Sequence, residues 1–166
     1  MRAVTKKKSI ALFVIGLVSL AISAPNAVSA GATQADIDYS TKVSSLSQDF
    51  IKATTDWAAA IASPPTFTIG SKWTKYKAGA TKSSNAVLAA TAKLSALTPS
   101  AGFTKSDPLL KAACASYKSA ITAVNNGVLK NDAKVISKSM SLVTKANTAL
   151  LAWSKSYQAE VAALNG

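Results

Sequence analysis

The chain has 166 residues, a formal net charge of +12, one cysteine and no histidine. Lack of histidine excludes Ser-His and Cys-His nucleophile systems and most zinc sites, and a single cysteine excludes any disulfide within the chain. With 16% charged residues and 49% hydrophobic ones, an ordinary packed domain is expected.

Residues 1 to 30 divide into a basic start, Met1 to Lys8, an apolar run, Ile10 to Ile22, and a small-residue stretch ending Val28-Ser29-Ala30. That order is expected of a bacterial-type signal peptide cut after Ala30, with Ala24 and Ala27 as alternative sites. The apolar run is shorter than the roughly twenty residues a membrane-spanning helix needs, so no transmembrane segment is expected after cleavage. No twin arginine precedes the run and no cysteine follows it, so lipidation is not expected either. The C-terminal Leu164-Asn165-Gly166 carries no wall-sorting or lipid-anchor pattern. The product is expected to be secreted, extracellular or wall-associated, and periplasmic where the source has an outer membrane. Cleavage removes Arg2, Lys6, Lys7 and Lys8, which takes the charge from +12 to +8 and leaves lysine as the only mature cation. Residues 31–166 then suffice for one domain and are too few for two.

The first helix is predicted over 34–62, where Tyr39, Val43, Leu46, Phe50, Ala53, Trp57 and Ala60 recur at alternating steps of four and three. Thr33 with Asp36 forms a capping-box pattern, and Pro64-Pro65 stops the helix. The second is predicted over 71–97, with Ser71 as N-cap, Thr98-Pro99 as stop, and a stripe of Trp73, Tyr76, Ala80, Ser83, Val87, Ala90, Leu94 and Leu97. The third is predicted over 108–126. Asp107 is its expected cap, Pro108 its first residue, and Gly127 its left-handed stop, with Leu110, Cys114, Tyr117, Ile121 and Val124 as the apolar stripe. The fourth is predicted over 132–164 with the widest apolar face, running from Val135 and Ile136 through Leu150 and Trp153 to Leu164, and is expected to be the most buried.

Connections of about four to ten residues favour antiparallel neighbours, so the expected fold is all-α, an up-down-up-down antiparallel four-helix bundle. Alanine-rich faces imply a thin core of moderate stability. Cys114 falls in the stripe of the third helix and is expected to act as a small buried hydrophobe. In the up-down arrangement Trp57, Phe67, Trp73 and Tyr76 gather at one end and Tyr39, Phe103, Trp153 and Tyr157 at the other, leaving the middle to aliphatic residues. Such clusters plug a bundle. The functional alternative is an apolar cleft at Trp57, Phe67, Trp73 and Tyr76 that takes a small molecule.

Between Asp56 and Asp107 there is no acid, while Lys72, Lys75, Lys77 and Lys82 crowd the first turns of the second helix. Cations are disfavoured at a helix N-terminus, so something is expected to offset them. One reading has Asp49 and Asp56 of the first helix, or simply water and salt, offset them. The other has the four lysines, interleaved with Trp73 and Tyr76, face a polyanion. Lys134, Lys138, Lys145 and Lys155 lie along a further stripe on the fourth helix, which a solvated face explains equally well. For an exported chain the corresponding partners are an anionic wall polymer, a polysaccharide or lipid head groups. Nucleic acid is disfavoured, because base reading draws on arginine, asparagine and glutamine in a recognition geometry not evident here.

A carboxylate pair at Asp49 and Asp56 is the one glycosidase-like spacing, yet Lys52 stands between them as an ion-pair partner. There is no haem-attachment motif, phosphate-cradling glycine loop or calcium loop, so no catalytic residue, metal or cofactor is expected. The expected function is a secreted, non-enzymatic bundle that associates with an anionic component through a lysine-rich face. The alternatives are an apolar-ligand bundle and a protein-interaction module.

Overall fold

The structure, a computed structural model, describes residues 31–66 and 69–166. The expected signal peptide and Phe67 lie outside the described residues. The described chain is all-helical, with α1 at Gln34–Ala62, α2 at Gly70–Ser95, a 3₁₀ turn at Ala101–Phe103, α3 at Ser106–Lys130 and α4 at Ala133–Asn165. This set is compatible with a four-helix bundle. No described helix is long and apolar enough to cross a membrane.

Two helix starts follow directly from local chemistry. At α1 the Thr33 N–H and hydroxyl both donate to the Asp36 carboxylate, at 2.9 and 2.6 Å, while the Asp36 N–H donates back to the Thr33 hydroxyl at 3.3 Å. The capping box is thus complete. At α4 one oxygen of Asp132 accepts from the N–H groups of Lys134 and Val135, each at 3.0 Å.

α1 ends at Ala62 as predicted, whereas the boundaries of α2 and α3 differ from those predicted, each for a physical reason. Ser71 does not cap α2, because Gly70, at φ 79°, turns the chain one residue earlier and leaves Ser71 inside the first turn. That helix ends at Ser95 rather than Leu97, where the Leu97 N–H reaches the Leu94 carbonyl and tightens the chain into a 3₁₀ step. Asp107 does not cap α3. It lies within the first turn, where its carboxylate pairs with Lys111 at 2.7 Å. The cap comes instead from α4: the N–H groups of Lys105 and Ser106 donate to the two oxygens of Glu160, at 2.8 and 3.0 Å.

Gly127 does not stop α3 either. The helix runs on to Lys130 and ends at Asn131, which takes the left-handed conformation at φ 52° and ψ 40°. Gly127 serves packing: a Cβ there would fall 2.7 Å from Ile136 Cγ1 and 3.0 Å from the Ile136 backbone nitrogen. With Asn131 and Asp132 as the whole connector, α3 and α4 form an antiparallel hairpin. Ser106 meets Glu160 at one end, Tyr117 donates to the Asn147 side chain midway, and Gly127 meets Ile136 at the other end.

This pair is the most extensive helix contact, followed by α1 with α2 and α2 with α3. Being flanked by both α2 and α4, α3 is the most buried helix, in place of α4. Eleven of its 25 residues are buried against seven of 33 in α4. Its inner face adds Val128 to the predicted stripe, together with Ala113, Ala120 and Gly127, small residues that let neighbouring backbones come close.

The buried face of α1 is rotated from the predicted one. Ser40, Ser44, Ser47 and Thr54 are buried, while Leu46, Ala53 and Ala60 are only half-buried. Hydroxyls fit there because some bond back to their own helix: Ser40 donates to the Ile37 carbonyl at 3.0 Å and Thr54 to the Phe50 carbonyl at 2.9 Å. Likewise α2 buries Ser84 and Thr91, with Ser83 half-buried.

Aromatic residues mark one end as expected. The rings of Tyr39 and Phe103 lie 5.0 Å apart, Phe103 and Tyr157 5.1 Å, and Trp153 and Tyr157 5.6 Å. The middle is not purely aliphatic, because Phe50 of α1 meets Tyr117 of α3 edge-on at 4.8 Å.

Candidate functional site

The distribution of carboxylates sets the electrostatics of the surface. Asp36 serves the start of α1, Glu160 that of α3 and Asp132 that of α4. Beyond its capping box, Asp36 accepts the Gly102 N–H at 3.0 Å, tying α1 to the 3₁₀ turn. Hydrogen bonds from the Thr33 hydroxyl and from the Thr33 and Gly102 backbone hold its pKa down at about 2, so the group stays ionised. Among the described residues, α2 alone begins with no side-chain cap and no acid in its first turn.

Lysines stand at that unbalanced start. Lys72, Lys75 and Lys82 are exposed and share one stripe, Lys72, Lys75, Gly79, Lys82, Ala86, Ala89 and Lys93, whose members are all exposed. At 1.5 Å per residue the stripe runs roughly 30 Å along α2. Lys77 is half-buried on the neighbouring flank, with Nζ 5.9 Å from the centre of the Trp73 ring, at cation–π range.

Among the described residues the ion pairs are Lys52 with Asp56 and Lys111 with Asp107, each at 2.7 Å. No α2 lysine takes part. Asp56, one of the two acids considered as counterions, is engaged within α1 by Lys52, and both side chains are well exposed. The same contact bears on the Asp49–Asp56 spacing, since one member of that pair is an exposed ion-pair partner. Asp49 is exposed too.

Lys134, Lys138, Lys145 and Lys155 are all exposed on α4. They do not merge with the α2 row. α4 packs chiefly on α3, whereas α2 packs on α1 and then on α3, and α2 with α4 is not among the principal helix contacts, which keeps the two rows apart.

The aromatic group beside the α2 lysines comes together in part. Trp57 and Trp73 are buried and Tyr76 is half-buried. Trp73 and Tyr76 stack at 5.3 Å, and the Tyr76 hydroxyl donates to the Ile61 carbonyl at 3.1 Å, tying α2 to the end of α1. Burial raises the Tyr76 pKa and keeps the phenol neutral. Cys114 is buried in the core and burial pushes its thiol up to about 11, which removes thiolate character at neutral pH.

Among the described residues no three His, Cys, Asp or Glu side chains gather closely enough to hold a metal ion. Comparison with known protein families, with curated proteins and with solved structures finds no match.

Proposed function

We propose that the chain is an exported, non-enzymatic, up-down-up-down four-helix bundle that associates with an anionic envelope or extracellular component through the lysine-rich face of α2. Alternating helix directions are supported by the meeting of Tyr39, Phe103 and Tyr157, which come from the start of α1, the α2–α3 connection and the end of α4. The binding reading rests on one observation. The three other helices start on a carboxylate, whereas α2 starts without one and carries Lys72, Lys75, Lys77 and Lys82 with no ion-pair partner among the described residues.

Physically, such a row attracts phosphate- or carboxylate-bearing polymers because each lysine is a point charge with no ion-pair partner among the described residues, and the partial positive charge of the helix start adds to it. The row is sequence-blind and shape-tolerant, as suits a repetitive anion. The attraction must also fall steeply with added salt, since exposed charges are screened over about 10 Å at 0.1 M ionic strength.

The test is a pulldown of purified residues 31–166 with isolated bacterial envelope at low and high salt. Binding at low salt that weakens at least tenfold on replacing Lys72, Lys75, Lys77 and Lys82 with glutamine supports the proposal. Absence of binding at low salt, or indifference to the four substitutions, overturns it. Binding that persists in high salt and changes tryptophan fluorescence would point to the apolar group at Trp57, Trp73 and Tyr76 instead.

A further inference from the structure

The close of α1 with the start of α2, and the α3–α4 connector, lie at the same end of the bundle, opposite the Tyr39–Phe103–Tyr157 cluster. Each presents an exposed aliphatic side chain beside lysines. Ile69, immediately before α2, is 79% exposed, with Lys72 and Lys75 in the turns that follow, both exposed. Leu129, in the last turn of α3, is 40% exposed, with Lys130 and Lys134 on either side of the connector, both exposed.

The acids toward this end are engaged: Asp56, less than two turns before the end of α1, pairs with Lys52 at 2.7 Å. The carboxylate of the α3–α4 connector, Asp132, is held by the first N–H groups of α4. Asp36, Asp38, Asp107 and Glu160 all belong to the opposite end, in the first turn or two of α1 and α3 and the closing turns of α4. Leu109, another exposed aliphatic residue, sits at that acid-bearing end and so lacks the basic setting.

We infer that this end is a docking surface for an anionic phospholipid bilayer, with Ile69 and Leu129 entering the interface and Lys72, Lys75, Lys130 and Lys134 facing the head groups. The inference rests on the anionic-partner reading above and narrows it to one partner. Lysines alone would suit any polyanion. The added aliphatic pair distinguishes the two kinds of partner, because a hydrated wall polymer offers apolar side chains nowhere to go, whereas the boundary between head groups and acyl chains does. Two aliphatic side chains with four lysines give a reversible surface association rather than insertion, in keeping with the absence of any membrane-spanning helix among the described residues.

The test is sedimentation of purified residues 31–166, which contain every described helix, with vesicles of phosphatidylglycerol mixed into phosphatidylcholine and with phosphatidylcholine alone. Partitioning onto the anionic vesicles only is expected. The double variant Ile69→Ser, Leu129→Ser should lower it by about tenfold, as should Lys130→Gln with Lys134→Gln, while the equal-charge control Lys42→Gln with Lys118→Gln should not. Both aliphatic residues are exposed, and circular dichroism checks that each variant stays folded.

Equal binding by wild type and the Ile69→Ser, Leu129→Ser variant overturns the bilayer inference. So does binding to teichoic acid or hyaluronate without any to vesicles, although the broader reading of α2 then stands. Failure to bind vesicles and soluble polyanions alike at low salt overturns both.

Discussion

Glycine at two helical positions allows the packing of α3 on α4 to be measured against an internal control. Gly79, within α2, is exposed, and a Cβ there would meet nothing within 4 Å. Gly127, within α3, has Ile136 Cγ1 at 2.7 Å, the Ile136 backbone nitrogen at 3.0 Å and Val135 Cγ1 at 3.2 Å from the same virtual atom. Replacement by alanine confers the same intrinsic gain at both sites, about 0.5–1 kcal/mol, by restricting the unfolded chain and favouring the helix. At Gly79 nothing opposes it, so Gly79→Ala should stabilise the protein by that amount. At Gly127 the new methyl group collides with a β-branched side chain and with backbone, neither of which is the free end of a flexible chain. Overpacking of this kind costs about 1–3 kcal/mol, more than the gain, so Gly127→Ala should destabilise by roughly 0.5–2 kcal/mol. For a domain of this size a kcal/mol corresponds to about 3–5 °C in Tm. Thermal and urea melts of the two variants should therefore move in opposite directions from wild type. If Gly127→Ala melts as high as Gly79→Ala, then α3 and α4 are not close at this point and the packing role assigned to Gly127 is wrong.

Three further outcomes are expected. Asp36 is held at about pKa 2 against an ordinary 3.8, so its stabilisation is present above pH 4 and lost as pH falls through 2. The loss should be about 1–2 kcal/mol after allowing for solvent screening at the edge of the bundle, and Asp36→Asn should flatten urea-melt stability over that window. Glu160→Ala leaves the Lys105 and Ser106 N–H groups without their acceptors and should lower stability by about 1–2 kcal/mol, with hydrogen exchange rising first in the opening turn of α3. Cys114, buried with its thiol at about 11, should resist a thiol reagent at pH 8 in the native protein and react at once in urea; rapid native labelling would contradict its burial.

The legible parts of the fold are those whose causes lie a few residues apart. The Thr33–Asp36 box, the stop ahead of Pro64-Pro65 and the apolar stripe of α3 all follow from neighbours within one or two turns. The candidate site was legible to the same depth, since the lysines of α2 and the acid-free stretch around them are visible in the letters alone. The pairing of Asp56 with Lys52 was also within reach, at a separation of one helical turn.

What tertiary structure decided involves groups remote in the chain. Glu160 caps α3 from 54 residues away, a contact that no local pattern announces and that makes Asp107 look like the cap. Gly127 resembles a helix stop until Ile136 is seen beside it. Serines and threonines on the inner face of α1 read as surface, because burial of a hydroxyl depends on whether a neighbouring helix needs close approach there and on whether the group can bond back to its own carbonyls. Which helix is most enclosed follows only from how the helices pack on one another. Sequence by itself determined where helices form and which are basic, since propensity, capping and periodicity act over a turn or two. Their depth, their distant caps and the composition of the bundle's ends arise from contacts between segments whose separation along the chain carries no pattern of its own.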